Sequence, residues 1–263
     1  MAKVKIKSVI LSQECLAEGI YSMWLKAPEI AEQAVPGQFA DLYSKDGSRL
    51  LPRPISLCGI DRENGAIRLV YRVAGAGTEE FSGLSAGDWL EVLGPLGNGF
   101  PLEAAEGRDA FLIGGGIGIP PMLELAKELS ARYGRGRVCA VLGYRDSQMF
   151  LKEEFEPWAK VYVATEDGSA GTKGNVLDAI REQGLTAQVA YACGPTPMLR
   201  ALKAYGQEET IPFYLSLEER MACGVGACLA CVCKSREVDG HSHVHNKRIC
   251  KDGPVFLADE IEL

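Results

Sequence analysis

Leu217-Glu218-Glu219-Arg220-Met221-Ala222-Cys223-Gly224-Val225-Gly226-Ala227-Cys228-Leu229-Ala230-Cys231 reads C-x4-C-x2-C, and Cys250 follows after a gap of 18 residues. Thiolate sulfur is the soft ligand that iron–sulfur centres require, and this spacing is one that wraps a [2Fe–2S] centre. A loop closing round such a centre turns tightly and brings backbone N–H groups up to the sulfurs. Gly224 and Gly226 permit that path, and the N–H contacts help set the reduction potential. A structural zinc site pairs two C-x2–4-C knuckles, whereas this segment has one. A Rieske centre needs two His ligands, and His241, His243 and His245 do not stand in that pattern. The ligands are therefore read as Cys223, Cys228, Cys231 and Cys250, the last being the only cysteine after Cys233. Cys233 reads as a small buried neighbour, and the His241–His245 tract as a solvated excursion rather than a metal site.

The rest of the chain is long enough for two compact domains before this segment, at 263 residues in all. A net charge of −7 argues against nucleic acid and against an anionic membrane surface as partners. No apolar run approaches a membrane span. Met1-Ala2-Lys3-Val4-Lys5-Ile6-Lys7 alternates charged and apolar residues like a strand and lacks the apolar core of a signal peptide. Nine cysteines without a secretory mark favour metal over disulfides, and the cytoplasm is the expected location.

Residues 1–100 read as a first domain of short strands. Val4–Leu11, Ile20–Leu25, Gln38–Tyr43, Pro54–Ile60, Ala66–Val73 and Trp89–Leu93 are separated by turn signals such as Pro36-Gly37, Asn64-Gly65 and Gly87-Asp88. This pattern predicts a small antiparallel β-barrel. Two stretches suit a dinucleotide. Arg53-Pro54-Ile55-Ser56 offers a cation and a hydroxyl at a strand start. Val70-Tyr71-Arg72, followed by the glycine-rich turn Gly75-Ala76-Gly77-Thr78, offers a ring for stacking, a cation and unobstructed N–H groups.

Residues 101–215 change to strand–helix alternation, which predicts a doubly wound parallel sheet. Strands are expected at Ala110–Ile113, Val138–Leu142, Lys160–Ala164, Gln188–Cys193 and Pro212–Leu217. Helices are expected from Pro120 to Gly134 and at Gln148–Trp158, Asn175–Glu182 and Thr196–Tyr205. Ligands of such sheets bind at the carboxyl ends of the strands. Gly114-Gly115-Gly116-Ile117-Gly118 ends the first strand and lets a pyrophosphate approach a helix N-terminus, although Ile119 breaks the G-x-G-x-x-G fingerprint. Cys193-Gly194-Pro195-Thr196-Pro197-Met198 ends the fourth. After the second strand comes Tyr144-Arg145-Asp146, where the acid disfavours a 2′-phosphate, so NAD is expected over NADP.

Taken together, these motifs resemble the ferredoxin–NADP reductase superfamily. Its flavin barrel carries R-x-Y-S/T ahead of a G-x-G-[ST]-like turn, with Ile55 here at the Tyr position. Its nicotinamide domain carries G-G-G-x-G and C-G-P-x-x-M turns. The resemblance implies FAD on Arg53, Pro54, Ile55, Ser56, Val70, Tyr71, Arg72, Gly77 and Thr78. It implies NAD on Gly114, Gly115, Gly116, Gly118, Gly194 and Pro195, with Cys193 near the hydride-transfer face. The whole is a β + α/β architecture: flavin-binding antiparallel barrel (1–100), doubly wound nicotinamide domain (101–215) and small [2Fe–2S] domain (216–263). The ending from Glu219 to Cys228, and Cys250-Lys251-Asp252-Gly253-Pro254-Val255-Phe256, is similar to the dihydroorotate dehydrogenase B electron transfer family, as is Arg53-Pro54-Ile55-Ser56. That family implies a relay in pyrimidine synthesis, from an FMN-containing catalytic subunit through the [2Fe–2S] cluster and FAD to NAD, in a heterotetramer of two of each chain. The alternative is an NAD(P)H-dependent flavin and iron–sulfur reductase for another redox partner. Val255, Phe256 and Leu257 are expected either to form a docking patch or to pack the last domain.

Overall fold

The computed structural model describes residues 3–240 and 243–263, so His241 lies outside the described residues. Six strands make a closed barrel: β1 (Val4–Ala17), β2 (Ile20–Lys26), β3 (Phe39–Tyr43), β4 (Arg53–Asp61), β5 (Ala66–Arg72) and β6 (Trp89–Leu96). Their order around it is β1-β2-β5-β4-β3-β6, all antiparallel. Alternate side chains turn inward. Met23, Leu25, Ala40, Leu42, Leu57, Leu69 and Val92 fill the interior, with Ile30 and Ala31 of the short helix α1 (Pro28–Ala31).

The stretch read as a glycine-rich turn opens helix α2 (Ala76–Ser82). The Thr78 hydroxyl accepts from the N–H groups of Ala74 and Gly75, at 2.9 and 3.2 Å. The bond from Gly75 is the returning half of a capping box, from the third helical residue back to the N-cap, which a reading based on glycine content alone misses.

The second sheet has seven strands in the order β10-β9-β8-β7-β11-β12-β15. They are β7 (Ala110–Gly115), β8 (Val138–Tyr144), β9 (Lys160–Thr165), β10 (Thr172–Lys173), β11 (Val189–Cys193), β12 (Phe213–Ser216) and β15 (Val255–Leu257). All pairs are parallel except β12 with β15. Between them run α3 (Pro120–Tyr133), α4 (Lys152–Phe155), α5 (Val176–Glu182) and α6 (Thr196–Glu209). The strand order reverses between β7 and β11, and that switch point is where ligands of open α/β sheets bind. The expected helix Gln148–Trp158 shrinks to α4. Leu151 takes a left-handed backbone with φ 65°, while the Tyr144 hydroxyl donates to the Phe150 carbonyl at 2.9 Å and holds the preceding turn open. A two-stranded ribbon, β13 (Val232–Lys234) with β14 (Asn246–Arg248), completes the described elements.

The fold comprises two compact units. The first runs to Gly99 and includes Glu218–Val232 and Arg248–Pro254. The second comprises Phe100–Leu217, Cys233–Lys247 and Val255–Leu263. The stretch expected as a third domain is thus shared between them. Val255, Phe256 and Ala258 are buried because β15 pairs with β12 as a sheet edge, so this run packs a sheet and does not form a docking patch.

Candidate functional site

In the first unit the cysteine segment wraps round a tight turn. Gly224 and Gly226 have φ of 63° and 86°, the left-handed region that favours glycine. The turn aims the N–H groups of Val225 and Ala227 at the Cys223 sulfur, at 3.5 and 3.3 Å. Burial alone would raise the Cys223 thiol. The N–H groups of Val225, Cys228 and Ala227, with the Cys228 side chain, outweigh it and bring the thiol down to about 6. The second pair is buried. The Cys250 N–H meets the Cys231 sulfur at 3.4 Å, and burial, followed by the neighbouring Cys231, pushes the Cys250 thiol up to about 12.

The four thiols thus form two pairs, Cys223 with Cys228 and Cys231 with Cys250. Among the described residues no group of three or more His, Cys, Asp or Glu side chains is arranged to hold one metal ion. Two pairs of sulfurs suit a binuclear centre, in which each iron takes two thiolates, better than one tetrahedral zinc. The donor set and the turn of N–H groups therefore fit a [2Fe–2S] centre. His243 and His245 are exposed, with the His245 ring against the Arg236 carbonyl at 2.9 Å.

Several supports of this segment had no signature in the sequence. Arg248 is buried. Its guanidinium binds Asp252 at 3.0 and 3.3 Å and donates to the Gly226 carbonyl at 3.3 Å, tying the first turn to the stretch after Cys250. The Asn98 side chain donates to the carbonyls of Lys251 and Asp252 at 3.1 and 3.0 Å, which anchors that stretch on the barrel. Asp41, on β3, lies under Gly224: a Cβ there would run into its carboxylate. Burial, followed by the Cys223 charge, raises the Asp41 carboxyl to about 7. An acid inside the otherwise apolar strand Phe39-Ala40-Asp41-Leu42 was the available clue.

At the dinucleotide motifs, Arg53 opens β4 and its guanidinium lies against Gly77, where a Cβ would sit 2.7 Å from Nη2. Pro54, Ile55 and Ser56 are half-buried, and Ile55 packs against the barrel core. Tyr71 does not offer its ring. It is 1 % exposed within the core, stacked on Tyr21 with centroids 6.0 Å apart, and its hydroxyl donates to Gln13 at 3.1 Å. Its neighbours on β5 divide the outer positions, Val70 being buried and Arg72 exposed.

In the second unit the two expected turns meet. Gly114 pairs with Cys193 in the β7–β11 register. Gly118 packs so tightly on the Cys193–Gly194 peptide that a Cβ would sit 2.6 Å from the Gly194 nitrogen. Gly115 and Gly194 both leave room for the Met198 side chain. Gly116 takes φ 54° at the start of the turn into α3. Pro195 is exposed and Cys193 is buried. Arg145 is exposed, and Asp146 accepts the Gln148 N–H at 2.8 Å.

Comparison with known proteins agrees with this layout. Residues 218–262 match the family model described as the iron-sulfur cluster binding domain of dihydroorotate dehydrogenase B. Residues 112–204 match the oxidoreductase NAD-binding domain. A structure of an NADH-dependent reduced ferredoxin-NADP oxidoreductase superposes with TM-score 0.84 at 30% identity, over 97% of this chain and 89% of that one. A ferredoxin NADP+ reductase from Neisseria gonorrhoeae shares the fold at TM-score 0.66 and 16% identity, over 78% and 91% of the two chains. The dihydroorotate dehydrogenase B (NAD(+)) electron transfer subunits of Bacillus caldolyticus and Geobacillus kaustophilus (strain HTA426) are each 47% identical over 260 residues, covering 98% of both chains. With likeness running the full length and taking in the cysteine segment, the chain belongs to the family of dihydroorotate dehydrogenase B electron transfer subunits.

Proposed function

We propose that this chain is the electron relay of an NAD-linked dihydroorotate dehydrogenase, serving pyrimidine synthesis in the cytoplasm. Its partner is a catalytic subunit bearing FMN, assembled as a heterotetramer of two of each chain. The observation that carries this reading is the paired cysteine set on a segment matched to that family's cluster domain. No helix among the described residues is long and apolar enough to cross a membrane.

The division of labour follows the sequence: residues 1–100 for FAD, 101–215 for NAD and 216–263 for the cluster. When bound, the flavin supplies the exchange between the two-electron chemistry of a nicotinamide and the one-electron chemistry of an iron–sulfur centre. The chain supplies position. Cys223, Cys228, Cys231 and Cys250 hold the centre, and the Val225 and Ala227 N–H groups stabilise negative charge on sulfur. Arg53, with the N–H groups at Gly77 and Thr78, neutralises and orients the flavin pyrophosphate. Pro54, Ile55, Ser56, Val70 and Arg72 contribute the surrounding surface, with Tyr71 contributing backbone only. Gly114, Gly115, Gly116, Gly118, Gly194 and Pro195 shape the NAD cradle, and Cys193, buried at the strand end, backs it. Asp146 selects NAD by repelling a 2′-phosphate.

The test is an anaerobic visible spectrum of the purified chain, followed by NADH titration and EPR. A flavin spectrum with added cluster absorbance, bleached by NADH, is the expected result. Dihydroorotate-dependent NAD reduction should appear once the FMN subunit is added. A colourless, zinc-containing chain overturns the reading. Transfer only to an unrelated ferredoxin-like acceptor would instead favour a stand-alone reductase, the reading nearer the 30%-identical oxidoreductase.

Gly77→Ala probes the flavin site separately. The new methyl displaces the Arg53 guanidinium, a flexible group that moves without disturbing the barrel. Losing a charge-assisted bond worth about 1.5–3 kcal/mol lowers flavin affinity roughly tenfold to a hundredfold. The flavin-to-protein absorbance ratio after dialysis checks this, and the apoprotein melting temperature should change little.

A further inference from the structure

The outer face of the barrel carries an acid that the fold buries without a partner. Asp41 stands between Ala40 and Leu42, whose side chains fill the interior, so strand alternation turns it outward. It is nevertheless 0 % exposed. Neither carboxylate oxygen has a hydrogen-bond partner among the described residues. What covers it is the cysteine turn: Gly224 lies directly on the carboxylate, with the Leu96 methyl beside it. Lys5, across β6 at the register of Leu93, is committed to Glu91 at 2.8 Å and to the Tyr43 ring at 4.1 Å. An acid desolvated in this way is costly to the fold, and its field is little screened.

We propose that Asp41 sets the reduction potential of the centre held by Cys223, Cys228, Cys231 and Cys250, acting through space across the Gly224 turn. This rests on the cluster reading above. The potentials of such centres respond to net charge, hydrogen bonding to sulfur and solvent exposure. Where its raised carboxyl is ionised, above about pH 7, Asp41 sets negative charge beside the centre, so it disfavours the reduced form and makes it the stronger donor. Asp41 touches neither flavin nor substrate in this role. It tunes the centre, and the Arg248–Asp252 pair holds the turn in place over it.

The experiment uses the full chain purified with its catalytic partner, as Asp41, Asp41→Asn and Asp41→Ser. Iron content is measured first, then an EPR-monitored redox titration in buffer above neutral pH. Both variants are expected to keep their iron and flavin. At the wild-type midpoint their ratio of reduced to oxidised centre should rise about tenfold, equivalent to a positive shift of about 59 mV for one electron. An unshifted midpoint in iron-loaded variants overturns the proposal. Loss of the centre from both variants also overturns it, because Asp41 would then be a packing element only. A wild-type sample with flavin but no iron fails the cluster reading itself, which separates the two failures.

Discussion

Cys231→Ser should strip the centre from the chain, while Cys233→Ser leaves it in place. The two thiols are two residues apart, and the structure treats them differently. Cys231 is 2 % exposed and its sulfur accepts the N–H of Cys250 at 3.4 Å. Cys233 lies on β13, in the ribbon that follows. A serine hydroxyl at residue 231 is a hard, poorly acidic ligand in place of a soft thiolate, so iron content and cluster absorbance should be lost. Electron transfer to the partner should fall by more than the ~10–100-fold typical of changes around a metal site's ligands. The fold should survive, because the Cys231 carbonyl still accepts from Ile249 at 2.9 Å and every barrel residue is left unchanged. Cys231→Ser should therefore retain flavin and still bleach with NADH, yet fail to couple to dihydroorotate. Iron analysis and the two half-reactions check this. Iron retained by Cys231→Ser, or lost from Cys233→Ser, would reassign the third ligand.

The cysteine set was legible because its chemistry acts through spacing: a centre held by one turn imposes the intervals between its ligands. The barrel and the parallel sheet were legible because each writes its period into the chain. What could not be read depends on which face is covered, and by what. Tyr71 sits in a strand with apolar residues on both sides, Val70 and Leu69 being buried as well, so alternation did not say which side was the core. Asp41 is covered by a turn far along the chain at Gly224, and nothing local announces that. Arg248 and Asp252 look like an ordinary surface i,i+4 pair until the Gly226 carbonyl is placed beside them. The apolar run Val255–Leu257 was compatible with a surface or a sheet edge, and only the β12 register decides. The left-handed Leu151 is harder still, since leucine is a strong helix former and the turn before α4 is held by a tertiary bond from Tyr144.

Gly118→Ala is expected to uncouple NADH from the flavin without removing either flavin or cluster. Gly118 is confined by space, not by a left-handed backbone. An added Cβ would run into the Cys193 carbonyl and sit 2.6 Å from the Gly194 nitrogen. Those are backbone atoms at the end of β11, fixed by pairing of Cys193 with Gly114, so they cannot swing aside as the Arg53 side chain can. The methyl must push the Gly114–Gly118 turn away from the Cys193–Met198 turn, at an overpacking cost of about 1–3 kcal/mol. The two turns flank the switch point of the sheet, where the nicotinamide cofactor is proposed to lie. A displacement on the order of 1 Å costs a positioned reaction ~10²-fold, and stopped-flow bleaching of the flavin by NADH should slow by about that factor. Reduction by dithionite, which needs no cradle, should be unchanged, and the iron and flavin content should match the wild type. Gly136→Ala is the control: a Cβ there meets open space, between α3 and β8, and should leave the rate unaltered. If Gly118→Ala reacts with NADH as fast as Gly136→Ala does, the facing turns of β7 and β11 do not form the nicotinamide site.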